Sequence, residues 1–207
     1  MNKSETAIRP PRARTLLLIA LMLVFAGGAL MVWLPYHHEQ RAIAGLESVG
    51  AAAETAIVRP RWVPGWMDEK HLKVFSRVIK ITFADPSLPL PDSALQHLDH
   101  LAHVKTVRFD DTQITDAGMK HLRRLTNLES VYMIDTPISD EGLRHLSELS
   151  SLKHVYLSHT RVGDAGLKHL ESLTDLELLV LDTTEVGDSG LQHVEKLNEM
   201  LVLILDK

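Results

Sequence analysis

Twelve of the 207 residues are histidine, and five of them, His97, His121, His145, His169 and His193, stand at a constant interval of 24. Imidazole ligates zinc and changes charge near neutral pH, so a column of it invites a metal or proton-sensing role. A shared zinc ion needs ring nitrogens about 2 Å from one point, whereas helices packed side by side have axes roughly 8–10 Å apart. The column therefore predicts no metal centre, and no cofactor is expected. His97, His100 and His103, spaced by three, and His37-His38-Glu39 are further chelating patterns, both too short to define a coordination sphere. Ser158 and His159 are adjacent, but neighbours on a strand point to opposite faces, which separates nucleophile from base. No Gly-x-Ser-x-Gly, phosphate loop or His-Glu-x-x-His occurs, and Cys is absent, removing disulfides and thiol chemistry. Catalysis is not expected.

The histidines belong to a longer pattern. Thr112, Thr136, Thr160 and Thr184 are 24 apart, as are Asp116, Asp140, Asp164 and Asp188, and Gly118, Gly142, Gly166 and Gly190. Leu128, Val131 and Met133 recur as Leu152, Val155, Leu157 and as Leu176, Leu179, Leu181. A fixed period of this length with a Leu-x-x-Leu-x-Leu core predicts an α/β leucine-rich repeat solenoid. Short strands form one parallel sheet on its concave side, and short helices lie on its convex side. Met119, Leu122 and Leu125 form the inward stripe of one such helix. Thr115 and Ser139 are expected to cap helix starts, Gly163 and Gly187 replace that hydroxyl, and Asp116 and Asp140 suit the first turn. The Thr column is expected to satisfy turn backbone groups between coils. Residues 88–207 hold five copies, the first degenerate, with an extra loop around Pro86–Pro91.

Residues 15–34 contain no charged side chain and, as a helix, match a bilayer's hydrocarbon core of about 30 Å. Lys3, Arg9, Arg12 and Arg14 precede them, and Trp33 and Tyr36 suit the far interface. The distribution predicts a cytoplasmic segment 1–14 and one transmembrane helix at 15–34, with everything after it extracytoplasmic at the cell membrane. The alternative is a signal peptide cleaved near Ala26-Gly27-Gly28, which exports the same domain. Without residues 1–14, the 22 basic and 27 acidic residues fall to 18 and 26, a charge of −8. No basic stripe remains for nucleic acid. Residues 35–87 are expected to form a juxtamembrane segment and N-terminal cap: a helix over Glu39–Val49 stopped by Gly50, an extended Ala51–Val58, a helix over Asp68–Arg77 and a strand over Val78–Phe83. Trp62 and Trp66 are expected to close the core end.

The Thr-x-x-Thr-Asp-x-Gly-Leu-x-x-Leu pattern resembles the repeats of bacterial, planctomycete-type proteins, and is similar to those of eukaryotic F-box proteins. The stretch Arg41–Gly50, with the Pro64-Gly65-Trp66 segment before the first strand, resembles the cap of membrane-anchored members. The resemblance implies a non-catalytic protein-interaction scaffold. On the outward sheet face the expected partner-binding residues are Arg108, Tyr132, Ile134, His154, Tyr156, Leu178, Val180, Val202 and Ile204. A contiguous apolar strip with aromatics beside it favours a protein partner. Alternatives are a self-associating scaffold, a homodimer through that strip or the C-terminal edge strand, and an F-box-like receptor subunit of a ubiquitin ligase.

Overall fold

The computed structural model describes residues 34–61, 63, 68, 72–83, 90–195, 197 and 199–205. Most of the expected membrane segment (residues 15–33), Trp62, Trp66 and the loop at 84–89 lie outside them. Among the described residues, no helix is long and apolar enough to cross a membrane.

Helix α1 covers residues 34–47 and ends at a turn in which Gly50 takes φ 83°, a left-handed value that glycine adopts without a Cβ penalty. Seven strands follow in one sheet whose spatial order is the chain order: β1 (Ala51–Ile57), β2 (Ser76–Phe83), β3 (Thr106–Arg108), β4 (Ser130–Tyr132), β5 (His154–Tyr156), β6 (Leu178–Val180) and β7 (Val202–Ile204). β1 runs antiparallel to β2, and every later pair is parallel. Val107, Val131, Val155 and Leu179 sit in register on the inward face, fully buried. Ala42 and Leu46 of α1 and Ala51 of β1 join the same core and cover its N-terminal end.

Of the expected helix over Asp68–Arg77, the described residues from 72 onward form one 3-10 turn, Lys73–Phe75, and β2 begins at Ser76. The β-branched run Val78-Ile79-Lys80-Ile81-Thr82 favours extension, and pairing to β1 draws Ser76 and Arg77 into the ladder. Leu72 and Phe75 do face inward, but into a satellite cluster with Val63.

On the far side of each coil a single α-helical turn leads into a 3-10 turn: α2 (Asp116–Met119) into Lys120–Arg124, α3 (Asp140–Leu143) into Arg144–Leu146, and α4 (Asp164–Leu167) into Lys168–Leu170. α5 spans Asp188–Val194. Met119, Leu122 and Leu125 are all fully buried, and their spacing of three is the 3-10 period of three residues per turn. The degenerate first copy takes its place in the same stack, as a 3-10 segment over Asp92–His100.

Thr115 and Ser139 do cap α2 and α3, accepting from the amides of Ala117 and Glu141. The aspartates do more than suit the helix start. Asp92 accepts from the amide of Thr115 at 2.9 Å and its hydroxyl at 2.6 Å, and Asp116 repeats this with Ser139 at the same distances. Asp140 and Asp164 accept from the amides of Gly163 and Gly187, each at 2.7 Å. Each aspartate thus ties its coil to the start of the next helix. The hydroxyls of Thr112, Thr136, Thr160 and Thr184 donate to the carbonyls of Phe109, Met133, Leu157 and Leu181, three residues back, closing the turn after each strand. The residue before each threonine, namely Asp111, Asp135, His159 and Thr183, has φ between 52° and 58°. Asp and His tolerate this region better than a β-branched residue, so Thr183 carries the most strain.

Glu39 of α1 is buried, accepts the Val78 amide at 2.5 Å and lies 3.5 Å from the Arg77 guanidinium. Burial raises its pKa, outweighing that amide and Arg77, which both lower it. The folded state therefore holds this proton more tightly than the unfolded chain. Its contribution is complete below the ordinary value of 4.5 and is lost as pH rises through the raised one. Replacing Glu39→Gln, which keeps an acceptor for Val78, should flatten the pH dependence of unfolding free energy above that value, as measured by denaturant titrations from pH 4 to pH 8.

A Cβ on Gly166 would sit 2.4 Å from Asp140 Oδ1 and 3.1 Å from its Cα, whereas one on Gly163 would meet nothing nearer than 3.7 Å. Gly166→Ala should therefore cost about 1–3 kcal/mol through overpacking. Gly163→Ala meets no such clash, and the entropy removed from the unfolded chain offsets the poorer N-cap preference of Ala, so its net effect should stay within about 1 kcal/mol. Equal melting temperatures for the two variants would contradict this assignment.

Candidate functional site: the outward face of the sheet

Side chains on one face of a parallel sheet recur at every second residue and stand beside their in-register neighbours about 4.8 Å away. Register pairs Thr106, Ser130, His154, Leu178 and Val202 in one row, and Arg108, Tyr132, Tyr156, Val180 and Ile204 in the next. The second row stacks. The Arg108 guanidinium carbon lies 4.4 Å from the Tyr132 ring centroid, and the Tyr132 and Tyr156 rings are parallel within 11° at 4.2 Å. Arg108 Nε also binds Asp110 at 2.6 Å, and the other Asp110 oxygen accepts the Ile134 amide at 3.1 Å. This carboxylate holds the guanidinium in place over the ring. Burial pushes the Tyr156 phenol up, helped by a hydrogen bond to Tyr132 and opposed by Arg108.

The structure brings eight of the nine expected residues to an accessible surface. Arg108, Val202 and Ile204 are exposed, and Tyr132, Ile134, His154, Tyr156 and Leu178 are half-buried. Val180 is the correction, with only 7% of its surface exposed. It lies between Tyr156 and Ile204, so both lateral sides of its short side chain are covered, while β7 has a strand on one side only. Val180 is the floor of the strip and not a contact residue.

Three arrangements were not read from the sequence. Ser130 Oγ lies 2.9 Å from His154 Nδ1, and His154 Nε2 is 3.8 Å from Glu177. The order Ser–His–Glu suggests a nucleophile, its base and an orienting acid. The Ser130 and His154 amides, however, already donate to Lys105 and Glu129, so neither can stabilise an oxyanion. The pair serves as a polar cross-strand contact, and its signal was the interval of 24 between Ser130 and His154. Along the strand entrances, Lys105 binds Glu129 at 2.6 Å and Lys153 binds Glu177 at 2.7 Å. Finally, one buried oxygen of Asp182 has no hydrogen-bond partner.

Two histidines of the column pair with carboxylates one coil earlier: His121 with Asp99 at 3.2 Å, and His193 with Glu171. His38 packs against His100 with ring centroids 5.9 Å apart, which joins the two short His patterns around a cavity of about 190 Å³. Arg77 also lines that cavity, and burial and Arg77 together lower the His103 pKa. A resident guanidinium is unsuited to a second cation. Among the described residues, no three His, Asp or Glu side chains are grouped to hold a metal ion.

A family profile described as Leucine Rich repeat matches residues 148–170. Those residues run from the end of one convex segment through β5 to the next. That match, the period of 24 and the parallel ladder decide the architecture. The fold is a leucine-rich repeat solenoid. Similar solved structures include internalin C2 from Listeria monocytogenes, with 24% identity over 53% of this chain and 45% of that one, at a TM-score of 0.48. The leucine-rich repeat ectodomain of the receptor kinase SOBIR1 from Arabidopsis thaliana overlaps 81% of this chain and 91% of its own, with 12% identity and a TM-score of 0.49. A leucine-rich repeat protein of Leptospira interrogans matches at 19% identity over 55% of this chain and 27% of its own, at a TM-score of 0.42. The chain thus spans less than half of the internalin it overlaps. No curated protein sequence matches it significantly.

If the repeat face is built as described, alkaline titration followed by ultraviolet absorbance should show a phenol ionising above the ordinary value of 10. Tyr156→Phe should abolish that component. Persistence of the high-pH component in the variant would place the perturbed phenol elsewhere.

Proposed function

We propose that this chain is a non-catalytic, membrane-anchored repeat module that binds a protein partner through the outward face of its sheet. The observation that carries this reading is the Arg108–Tyr132–Tyr156 stack, continued sideways by Leu178, Val202 and Ile204. Tyr and Arg are enriched where binding energy concentrates, and aromatics beside an apolar strip mark interaction surfaces. Because the stack is already ordered in the free protein, little rotamer entropy is lost when a partner settles on it. Repeat proteins of this architecture are generally interaction modules, which supports the same reading. The uncharged stretch 15–34 and its basic N-terminal flank support one membrane span with the repeats on the extracytoplasmic side.

The test is covalent capture on intact cells with full-length tagged chain, comparing wild type with a Tyr132→Ala/Tyr156→Ala variant of unchanged circular dichroism. A specific protein should be recovered by wild type. Each single Tyr truncation should weaken it by about 2 kcal/mol, roughly 30-fold. Recovery unaffected by the double variant would remove the sheet face as the binding site, and capture only by a cytoplasmic reagent would overturn the topology.

A further inference from the structure

On and beside the outward face, the Lys80, Lys105 and Lys153 ammonium groups each sit against one glutamate, Glu54, Glu129 and Glu177, at 2.6–2.7 Å. Arg108 is different. A guanidinium carries five N–H donors in a rigid fork and stays protonated. Among the described residues, Asp110 is the one carboxylate bound to it, at Nε. The remaining donors belong to a side chain stacked on the Tyr132 ring and still 45% open to solvent.

Its neighbours are donors as well. Thr82 stands in register on one side of Arg108, and Tyr132 on the other. A hydrogen bond to Tyr132 raises the Tyr156 pKa, so the shared proton is Tyr156's and the Tyr132 hydroxyl keeps its own to donate. Thr82, Arg108 and Tyr132 therefore present protons side by side along one row. Such a row fits an oxygen anion, and the planar fork of a guanidinium matches a carboxylate. Asp110 halves what the guanidinium can offset, which disfavours a doubly charged phosphate.

Farther along, the same face turns apolar at Leu178, which is half-buried. Three strand spacings, about 14 Å, separate β3 from β6. An extended segment crossing the strands covers that in four residues at about 3.3 Å each, and its residues i and i+4 face the same side. Asp182, just past β6, repels an acid at that end.

We propose that the partner lays an extended segment across the strands, seating an Asp or Glu carboxylate on Arg108 and Tyr132 and an apolar side chain four residues away on Leu178. This deepens the reading above and rests on the outward face being the binding surface.

The probe is a library of random peptides displayed on phage and selected on detergent-solubilised full-length chain. Selected sequences should share an acid and, four positions away, Leu, Ile, Val or Phe. A synthetic consensus peptide should lose about tenfold or more in affinity when its acid becomes the amide, and as much against Arg108→Gln. The two changes together should cost no more than either alone, because both remove one contact. Arg108→Gln should keep its circular dichroism and push the Tyr156 phenol further up, since Arg108 lowers it, which shows the stack intact. A consensus without an acid, additive losses, or a selection without binders would overturn the proposal and leave the outward face standing as a surface for a folded partner. Selected peptides that bind the Tyr132→Ala/Tyr156→Ala variant equally well would overturn both.

Discussion

The structure depends on how closely consecutive coils approach at the start of each convex segment. The carboxylate of one coil sits where a Cβ on Gly118, Gly142, Gly166 or Gly190 of the next would be, 2.4–2.6 Å away. Only glycine leaves room, and the space it leaves is filled by a charged acceptor that reaches the next amide at 2.7–2.9 Å. Hydrogen bonds to a charged group are stronger than neutral ones, and removing one partner strands the other. The distance between coils is therefore set at one edge of each turn. The threonine that closes the strand-side turn then fixes the other edge, and the leucines fill what lies between.

That geometry explains which parts of the molecule were legible. The period and the inward faces were readable because burial selects residue type at every coil. The glycines and aspartates were visible as columns, but their physical relation was not. Asp140 meets Gly163 and Gly166 across 23 and 26 residues, a contact that no local capping rule describes. The convex stripe at intervals of three was assigned to helices, although three is the 3-10 period, because amphipathic α-helices also place apolar residues at that step. The strand-forming run of β2 extended into a predicted helix because its pairing partner β1 is distant along the chain, with Ile57 opposite Ser76 and Ala56 opposite Arg77.

The candidate site was legible to the same degree. Alternation along each strand identifies the outward residues, since the period of two is strict. Alternation does not show how much lateral cover a side chain receives, and this decided Val180, whose neighbours on both strands overlie it. Nor does sequence show that the two tyrosines adopt one parallel stack, or that Asp110 anchors the guanidinium above them. These depend on identical backbone geometry in adjacent coils. The stack is thus a product of the repeat: equivalent positions hold equivalent rotamers, and planar rings carried on them lie face to face.

The charged column at the strand entrances has a consequence for how such a chain can grow. Its members run Lys105, Glu129, Lys153, Glu177, so the backbone repeats every 24 residues but the charge pattern repeats every 48. Copying one coil into the array would set two like charges side by side, whereas copying a pair would preserve the alternation. Exposed pairs contribute little to stability, too little to forbid a single duplication. The alternation thus gives the surface a two-coil period on a backbone whose period is one coil.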